Sequence, residues 1–156
     1  MTVRRKVAVL ISGRGSNMQA LVRACGAPDY PAQIVLVLSN RADAAGLDFA
    51  REAGIATAVI SHRDFPDRAS FDAAMDAEIH RHSAELICLA GFMRLLDSRI
   101  IDAWRDRMIN IHPSLLPSFR GLDTHERVLE AGVKLSGCSV HFVRSDVDSG
   151  WHEQAR

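Results

Sequence analysis

The sequence predicts an α/β fold built on one open sheet, parallel at least in its first strands, with helices on both faces. Short apolar runs alternate along the chain with segments whose apolar residues have helical spacing, and this alternation is typical of strand–helix–strand units with right-handed crossovers. No internal repeat, low-complexity tract or linker interrupts the alternation. At 156 residues the chain is expected to form a single domain, residues 1–156.

Six apolar runs are predicted to form strands, and five segments with helical periodicity are predicted to form helices. The predicted strands cover residues 7–11, 34–38, 57–60, 86–90, 108–111 and 139–143. The predicted helices cover residues 18–22, 44–53, 71–82, 98–104 and 124–131. Ser16 is predicted to cap the first helix together with Gln19, and Gly54 is expected to end the second. The pattern leaves the direction of the last strand open.

Composition excludes several classes of function. Nineteen basic and nineteen acidic residues cancel, so no overall charge favours binding to nucleic acid or to an anionic membrane. The basic start of the chain precedes an apolar run that is too short for a signal peptide or a spanning helix. The three cysteines, Cys25, Cys88 and Cys138, share no metal or redox spacing. We therefore expect reduced thiols in a cytoplasmic protein.

The strand predicted over residues 108–111 leads to the candidate catalytic residues. Asn110 and His112 are two positions apart, so their side chains project from the same face of an extended strand. Pro113 lacks an amide hydrogen and holds the residue before it extended, so the strand is expected to stop at His112. An amide and an imidazolium side by side can stabilise an oxyanion in acyl transfer, and the histidine could instead be a general base.

Simpler interpretations compete at this strand end. A lone histidine is more often a hydrogen-bonded structural residue, and Asp148, which could keep His112 charged, could equally be an ordinary loop aspartate. A metal site is disfavoured, because His80 and His82 diverge on a predicted helix and no ligand motif joins the other candidates. Those candidates are His112, His125, His141 and Asp148. We predict no metal.

A glycine-bearing turn, residues 13–17, follows the first predicted strand and opens a helix, where free amides and the helix dipole attract an anion. The turn does not match a dinucleotide fingerprint, because Met18 stands at the third glycine position and the second strand ends in Ser39 and Asn40 rather than an acidic residue. No Walker sequence follows it either. A single phosphate fits this turn better, and a turn needed only for backbone geometry is the alternative.

Four motifs, in this order, closely resemble those of the phosphoribosylglycinamide formyltransferase family, the folate-dependent enzymes of purine synthesis. They are Ile11-Ser12-Gly13-Arg14-Gly15-Ser16-Asn17, Leu89-Ala90-Gly91-Phe92-Met93-Arg94, Asn110-Ile111-His112-Pro113-Ser114-Leu115-Leu116-Pro117 and Ser139-Val140-His141-Phe142-Val143. The resemblance extends over residues 7–150. It implies the Rossmann-like sheet of the formyltransferase fold, and transfer of a formyl group from 10-formyltetrahydrofolate to the glycinamide amine of a ribose phosphate.

The resemblance also implies roles for individual residues. The family's catalytic residues correspond to Asn110, His112 and Asp148, and its phosphate loop corresponds to Gly15, Ser16 and Asn17. Its folate-binding positions correspond to Arg68, Met93, Arg94, Leu95, Leu96, Asn110 and Arg144, and to the loop from there to Asp148. The implied mechanism is direct attack of the acceptor amine on the formyl carbonyl. In it, Asn110 and His112 stabilise the oxyanion, Asp148 keeps His112 protonated and assists proton removal, and no metal is needed.

The resemblance divides the chain into a phosphate-binding part, residues 1–90, a folate and catalytic part, residues 91–150, and an atypical tail, residues 151–156. The family continues with a further strand and a helix where this sequence stops. We therefore expect a C-terminally truncated or altered copy, with weaker glycinamide binding and a mobile loop around Asp148. An uncovered edge strand invites association, which makes a homodimer a candidate assembly.

Three other functions compete with this interpretation. A formyltetrahydrofolate deformylase uses a similar site with water as acceptor, but it usually carries an N-terminal regulatory domain that is absent here. A methionyl-tRNA formyltransferase should carry a basic RNA-binding extension, and this chain is short and neutral. The third alternative is a weakly active or inactive module that binds folate or dimerises.

Overall fold

The computed structural model describes residues 3–145. Within that range six strands form a single sheet. The strands are β1 (Arg5–Ile11), β2 (Ala32–Ser39), β3 (Thr57–Val59), β4 (Leu86–Leu89), β5 (Met108–His112) and β6 (Ser139–Phe142). The order across the sheet is β3–β2–β1–β4–β5–β6, and the first five strands run parallel. The α/β fold predicted from the alternation of apolar runs is confirmed.

Five α-helices connect the strands in the described part of the chain. They are α1 (Ser16–Cys25), α2 (Gly46–Glu52), α3 (Arg68–Arg81), α4 (Ser98–Ala103) and α5 (Thr124–Ala131), and a short 3₁₀ helix covers His62–Asp64. Among residues 3–145, every helix is too short or too polar to cross a lipid bilayer.

Apolar side chains cover both faces of the sheet, as is usual for parallel strands. Ala8 and Leu10 of β1 pack in the cluster that contains Phe71 of α3. Their neighbours on the strand, Val9 and Ile11, belong to the opposite cluster, which contains Met18 of α1. The alternation along β1 therefore places α1 and α2 on one face, and α3 and α4 on the other.

Two features of the sheet position the site. The strand order reverses between β1 and β4, and such a reversal opens a crevice beyond the carboxyl ends of the strands. The last strand, β6, is antiparallel to β5, so that Asn110 lies opposite His141 and His112 lies opposite Ser139. The segment after β6 therefore starts near the beginning of β5, at the opposite end of that strand from His112.

Two helix starts differ from the prediction. Ser16 is not the cap of α1: Gly15 holds that position in the left-handed region, with φ of 66°, and no side chain caps the helix. The proposed pairing of Ser16 with Gln19 is therefore wrong. Helix α3 begins three residues before the predicted start, because the Asp67 carboxylate accepts a hydrogen bond from the Ser70 amide at 2.7 Å. Arg68 consequently lies in its first turn.

Candidate functional site

A cavity of about 650 Å³ lies along β5 and β6. Its walls come from the segment after β4, from β5, from the start of α5 and from the end of β6. The candidate residues that line it are Arg68, Met93, Arg94, Leu95, Leu96, Asn110 and Arg144. Cavities of this size are typical of sites for small ligands. Within residues 3–145, the structure thus brings together the residues proposed for folate binding.

Asn110 and His112 occupy different depths at this cavity. Asn110 is half-buried and lines the cavity, with its Nδ2 at 3.5 Å from Nε2 of His141. His112 is buried and is not among the lining residues. Its Nε2 lies 2.8 Å from the carbonyl oxygen of Phe119, and because a carbonyl only accepts, Nε2 carries a hydrogen and donates it.

Hydroxyl groups hold the segment that follows β5, residues 113–119. Ser114 is buried, and its hydroxyl donates to the carbonyl of Ser118 at 2.5 Å. Ser139 of β6 donates to the carbonyl of Ser114 at 2.7 Å and accepts from the amide of Leu116 at 3.0 Å. These bonds fix the segment that presents the Phe119 carbonyl to the ring of His112.

Two arginines that line the cavity interact with a buried carboxylate, Asp72. They are Arg68 and Arg94, and Nε of Arg94 is buried without a hydrogen-bond partner in the described part of the chain. Asp72 is buried and accepts a hydrogen bond from the Asp97 amide at 2.5 Å. Burial raises the pKa of the Asp72 carboxyl, whereas that amide and the two guanidinium groups oppose the rise. The two guanidinium groups in the cavity wall suit an anionic ligand group.

The segment after β6 lies at the opposite end of β5, as its antiparallel direction requires. Arg144 lines the cavity, but its guanidinium is held by the carboxylate of Asp106 at 2.5 Å. The Ser145 hydroxyl donates to the carboxylate of Asp102 at 2.5 Å. Asp148, proposed as the catalytic carboxylate, lies outside the described residues, as do the rest of its loop and the tail.

The proposed phosphate loop lies at the end of β1 rather than in the cavity wall. A side chain at Gly15 would meet Cε of Met18 at 2.9 Å, and its φ of 66° disfavours any residue with a Cβ. Ser16 and Asn17 are exposed in the uncapped first turn of α1. The first amides of a helix have no intrahelical partner, so this turn offers donors to an anion.

Sequence reasoning missed one wall of the cavity. Residues 121–126, around the start of α5, and His141 line it together with the predicted residues. The pairing of His141 with Asn110 depends on the register of β6, which the sequence does not reveal. Within residues 3–145, no cluster of three or more His, Cys, Asp or Glu side chains could hold a metal ion.

Comparisons with known proteins agree with this fold. Residues 5–152 match the family described as formyl transferase. The crystal structure of a phosphoribosylglycinamide formyltransferase from Brucella melitensis superposes with a TM-score of 0.89 at 51% identity, over 92% of this chain and 75% of that one. The phosphoribosylglycinamide formyltransferase of Haemophilus influenzae is 42% identical over 146 residues, which are 94% of this chain.

The relatives differ in how much of their length this chain represents. The trifunctional purine biosynthetic protein adenosine-3 of Bos taurus is 54% identical over 145 residues, and the match covers 93% of this chain but 14% of that protein. For the Haemophilus protein the matching share is 69%. The resemblance based on the four sequence motifs is confirmed. The chain belongs to the formyl transferase family.

Proposed function

We propose that this chain transfers a formyl group from 10-formyltetrahydrofolate to the amine of phosphoribosylglycinamide. The amine nitrogen bonds to the formyl carbon, the bond from that carbon to N10 of the folate breaks, and one amine proton ends on N10. The observation that carries the proposal is the position of Asn110, whose amide lines a cavity bounded by two arginines at the edge of the sheet. The names of the solved and curated relatives support it.

The chemistry of the cavity fits a folate. Met93 and Leu95 are partly exposed apolar side chains in its wall. The flat heterocyclic ring system of a folate needs apolar surfaces of this kind to pack against. The buried Nε of Arg94 is a donor whose desolvation is costly unless a ligand acceptor meets it. Folates end in glutamate carboxylates, which are such acceptors, and Arg68 lines the same cavity. We therefore propose Arg68 and Arg94 as the residues that bind the carboxylate end.

The phosphate of the acceptor is proposed to bind at Gly15, Ser16 and Asn17. The left-handed conformation of Gly15 leaves the first turn of α1 open, without a side-chain cap. The loop adjoins the cavity at Ser12, whose hydroxyl accepts a hydrogen bond from the Met93 amide at 2.8 Å. A ribose phosphate held there can extend its amine towards Asn110.

Asn110 and His112 are proposed to stabilise the oxyanion that forms as the amine attacks. The Asn110 amide faces the cavity and can donate directly. The ring of His112 is held through Nε2 by the carbonyl of Phe119, and its contribution is proposed to come from the positive charge of the protonated ring. Asp148 is proposed to favour that charged form and to assist proton removal. We also propose that the substrates of this chain are small molecules and that it acts in the cytoplasm. That the chain forms a homodimer remains a prediction.

A formyl-transfer assay tests the proposal. The purified chain is incubated with 10-formyltetrahydrofolate and phosphoribosylglycinamide, and the N-formyl product and tetrahydrofolate are quantified by mass spectrometry. We expect both products in equal amounts, and neither when the acceptor is omitted. Release of formate without the acceptor would instead indicate a deformylase.

A binding measurement separates an inactive module from a transferase. Calorimetry with tetrahydrofolate reports occupation of the cavity whether or not transfer takes place. Binding of tetrahydrofolate without formation of the N-formyl product would show that the chain binds folate and does not catalyse. That outcome contradicts the proposed activity.

A further inference from the structure

Ser12 stands at the point where the strand order of the sheet reverses, directly after β1, and its side chain is buried. Its hydroxyl makes two hydrogen bonds to residues that are distant in sequence. It donates to Oδ1 of Asn40, 28 residues away, at 2.5 Å. It accepts from the backbone amide of Met93, 81 residues away, at 2.8 Å. One hydroxyl therefore connects the segments that follow β1, β2 and β4.

The chemistry of the three groups fixes the direction of each bond. A backbone amide can only donate and the Asn40 carbonyl can only accept, whereas a hydroxyl has one hydrogen and two lone pairs. Because Asn40 takes the hydrogen, Ser12 presents a lone pair to Met93. Asn40 is itself buried, so the arrangement is shielded from water. Removing the hydroxyl would leave the Met93 amide without this acceptor.

The two ends of this connection lie at the two proposed substrate sites. Ser12 immediately precedes the glycine-bearing turn, residues 13–17, which contains the proposed phosphate loop, and Met93 belongs to the wall of the folate cavity. The turn is also held to α2, since the Gly46 amide donates to the carbonyl of Gly13 at 3.1 Å. A shift of the loop on phosphate binding would therefore act on Met93 through a short, directed hydrogen bond.

We propose that Ser12 is a positioning residue that couples the phosphate loop to the folate cavity, so that binding at either site strengthens binding at the other. This inference rests on the proposed function, because it takes phosphate to bind at Gly15, Ser16 and Asn17 and folate to bind in the cavity. Coupling between two binding sites is reciprocal, so each ligand tightens the other by the same factor. We expect a factor of about five or more in the native chain, and close to one without the hydroxyl.

Calorimetry of a non-reacting pair of ligands measures the factor. Tetrahydrofolate carries no formyl group, so it can be titrated into the chain with and without saturating phosphoribosylglycinamide, and no transfer takes place. In Ser12→Ala we expect both ligands to bind singly and the dissociation constant of tetrahydrofolate to stop responding to the second ligand. The amide resonance of Met93, followed by NMR, should shift on addition of phosphoribosylglycinamide in the native chain and not in Ser12→Ala.

Ser39→Ala is the matched control. The Ser39 hydroxyl is equally buried and also donates once and accepts once, but both partners belong to Arg41, at 2.9 and 3.0 Å. This variant loses a comparable hydroxyl without breaking the connection to Met93, so it should keep the native factor. Asn40→Ala provides a second test of the coupling if Ser12→Ala does not fold. It frees the hydroxyl hydrogen and should reduce the factor.

The possible results separate this inference from the proposed function. Native coupling in folded Ser12→Ala or Asn40→Ala overturns the inference, and so does an equal loss of coupling in Ser39→Ala. If the native chain binds both ligands without mutual influence, the inference fails while the proposed function stands. If the native chain binds neither ligand, both fail.

Discussion

The part of the chain up to Met108 and the part after it are stabilised in different ways. Every buried apolar side chain among residues 3–145 lies in the first part, which we call the core region, residues 3–108. In the second part, the site region, residues 109–145, the buried side chains are His112, Ser114 and Thr124, all of them polar. Hydrophobic burial therefore stabilises one region, and directed hydrogen bonds hold the other.

This difference has a consequence for function. Apolar burial is strong and non-directional, whereas a hydrogen bond contributes about 0.5–1.5 kcal/mol net and fixes the direction of a group. A site that must aim an amide and an imidazole needs direction more than strength. We therefore expect substitutions in the core region to change stability, and substitutions in the site region to change turnover with a smaller effect on folding.

The largest effect is expected for Phe71→Ala in the core region. Phe71 is buried in the cluster on the α3 face of the sheet, in edge contact with the ring of Phe65. Truncation should lower the free energy of unfolding by about 3–5 kcal/mol, since it removes apolar contacts and leaves a cavity. Urea denaturation followed by circular dichroism measures the loss.

The control for Phe71→Ala is Leu135→Ala in the site region, because Leu135 is 84% exposed. That variant should stay within about 0.5 kcal/mol of the native free energy of unfolding. Equal destabilisation by the two substitutions would remove the distinction between the regions.

The second-largest effect is expected for Asn110→Ala in the site region. Loss of the amide that faces the cavity should lower turnover at saturating substrates by about 10²–10³, as for other oxyanion donors, while the urea midpoint changes little. The formyl-transfer assay and a denaturation curve on the same sample measure the two quantities. Gln33→Ala removes an exposed amide from β2 and serves as control. Near-native turnover in Asn110→Ala would exclude it from catalysis.

A smaller effect is expected for Ser114→Ala. The buried hydroxyl of Ser114 bonds to the carbonyls of Ser118 and Phe119, and the latter also accepts from His112. Its removal should cost about 1–3 kcal/mol of stability and loosen the support of the imidazole, so that turnover also falls. Ser118→Ala, on an exposed side chain of the same segment, keeps the accepting carbonyl and should change neither quantity. Native turnover in Ser114→Ala would show that the ring needs no such support.

The sequence predicts the core region better than the site region for a related physical reason. Strands buried on both faces must be continuously apolar, and that pattern is local, so β1, β2 and β4 are predicted within a few residues. The hydrogen bond from His112 to Phe119 depends on a loop conformation that no periodicity encodes.

Two further details of the structure also escape the sequence pattern. The prediction that Ser16 caps α1 is wrong, because the residue types do not reveal that Gly15 adopts the left-handed conformation at the cap position. The contact of Ser12 with Met93 joins residues 81 positions apart and follows only from the strand order. Long-range polar contacts of this kind need the topology before they can be predicted.

The smallest effect is expected from two thiols, Cys88 in the core region and Cys138 in the site region. The pH dependence of stability distinguishes the two. Burial raises the pKa of the Cys88 thiol from 9.0 to about 11, whereas Cys138 is exposed. Above pH 9 the unfolded chain therefore loses the Cys88 proton before the folded chain does. Stability must fall as pH rises from 9 to about 11. Between pH 8 and pH 10 this group alone should remove about 1 kcal/mol from the free energy of unfolding.

Urea curves at the two pH values, recorded for the native chain, Cys88→Ala and Cys138→Ala, isolate this contribution. Contributions that are common to all three proteins cancel in the comparison. Cys88→Ala begins less stable, because it loses a buried side chain, but it should lose about 1 kcal/mol less than the native chain between pH 8 and pH 10. Cys138→Ala should follow the native chain. An identical loss in all three proteins would show that Cys88 ionises as readily as an exposed thiol, and that the core region opens to water at this strand.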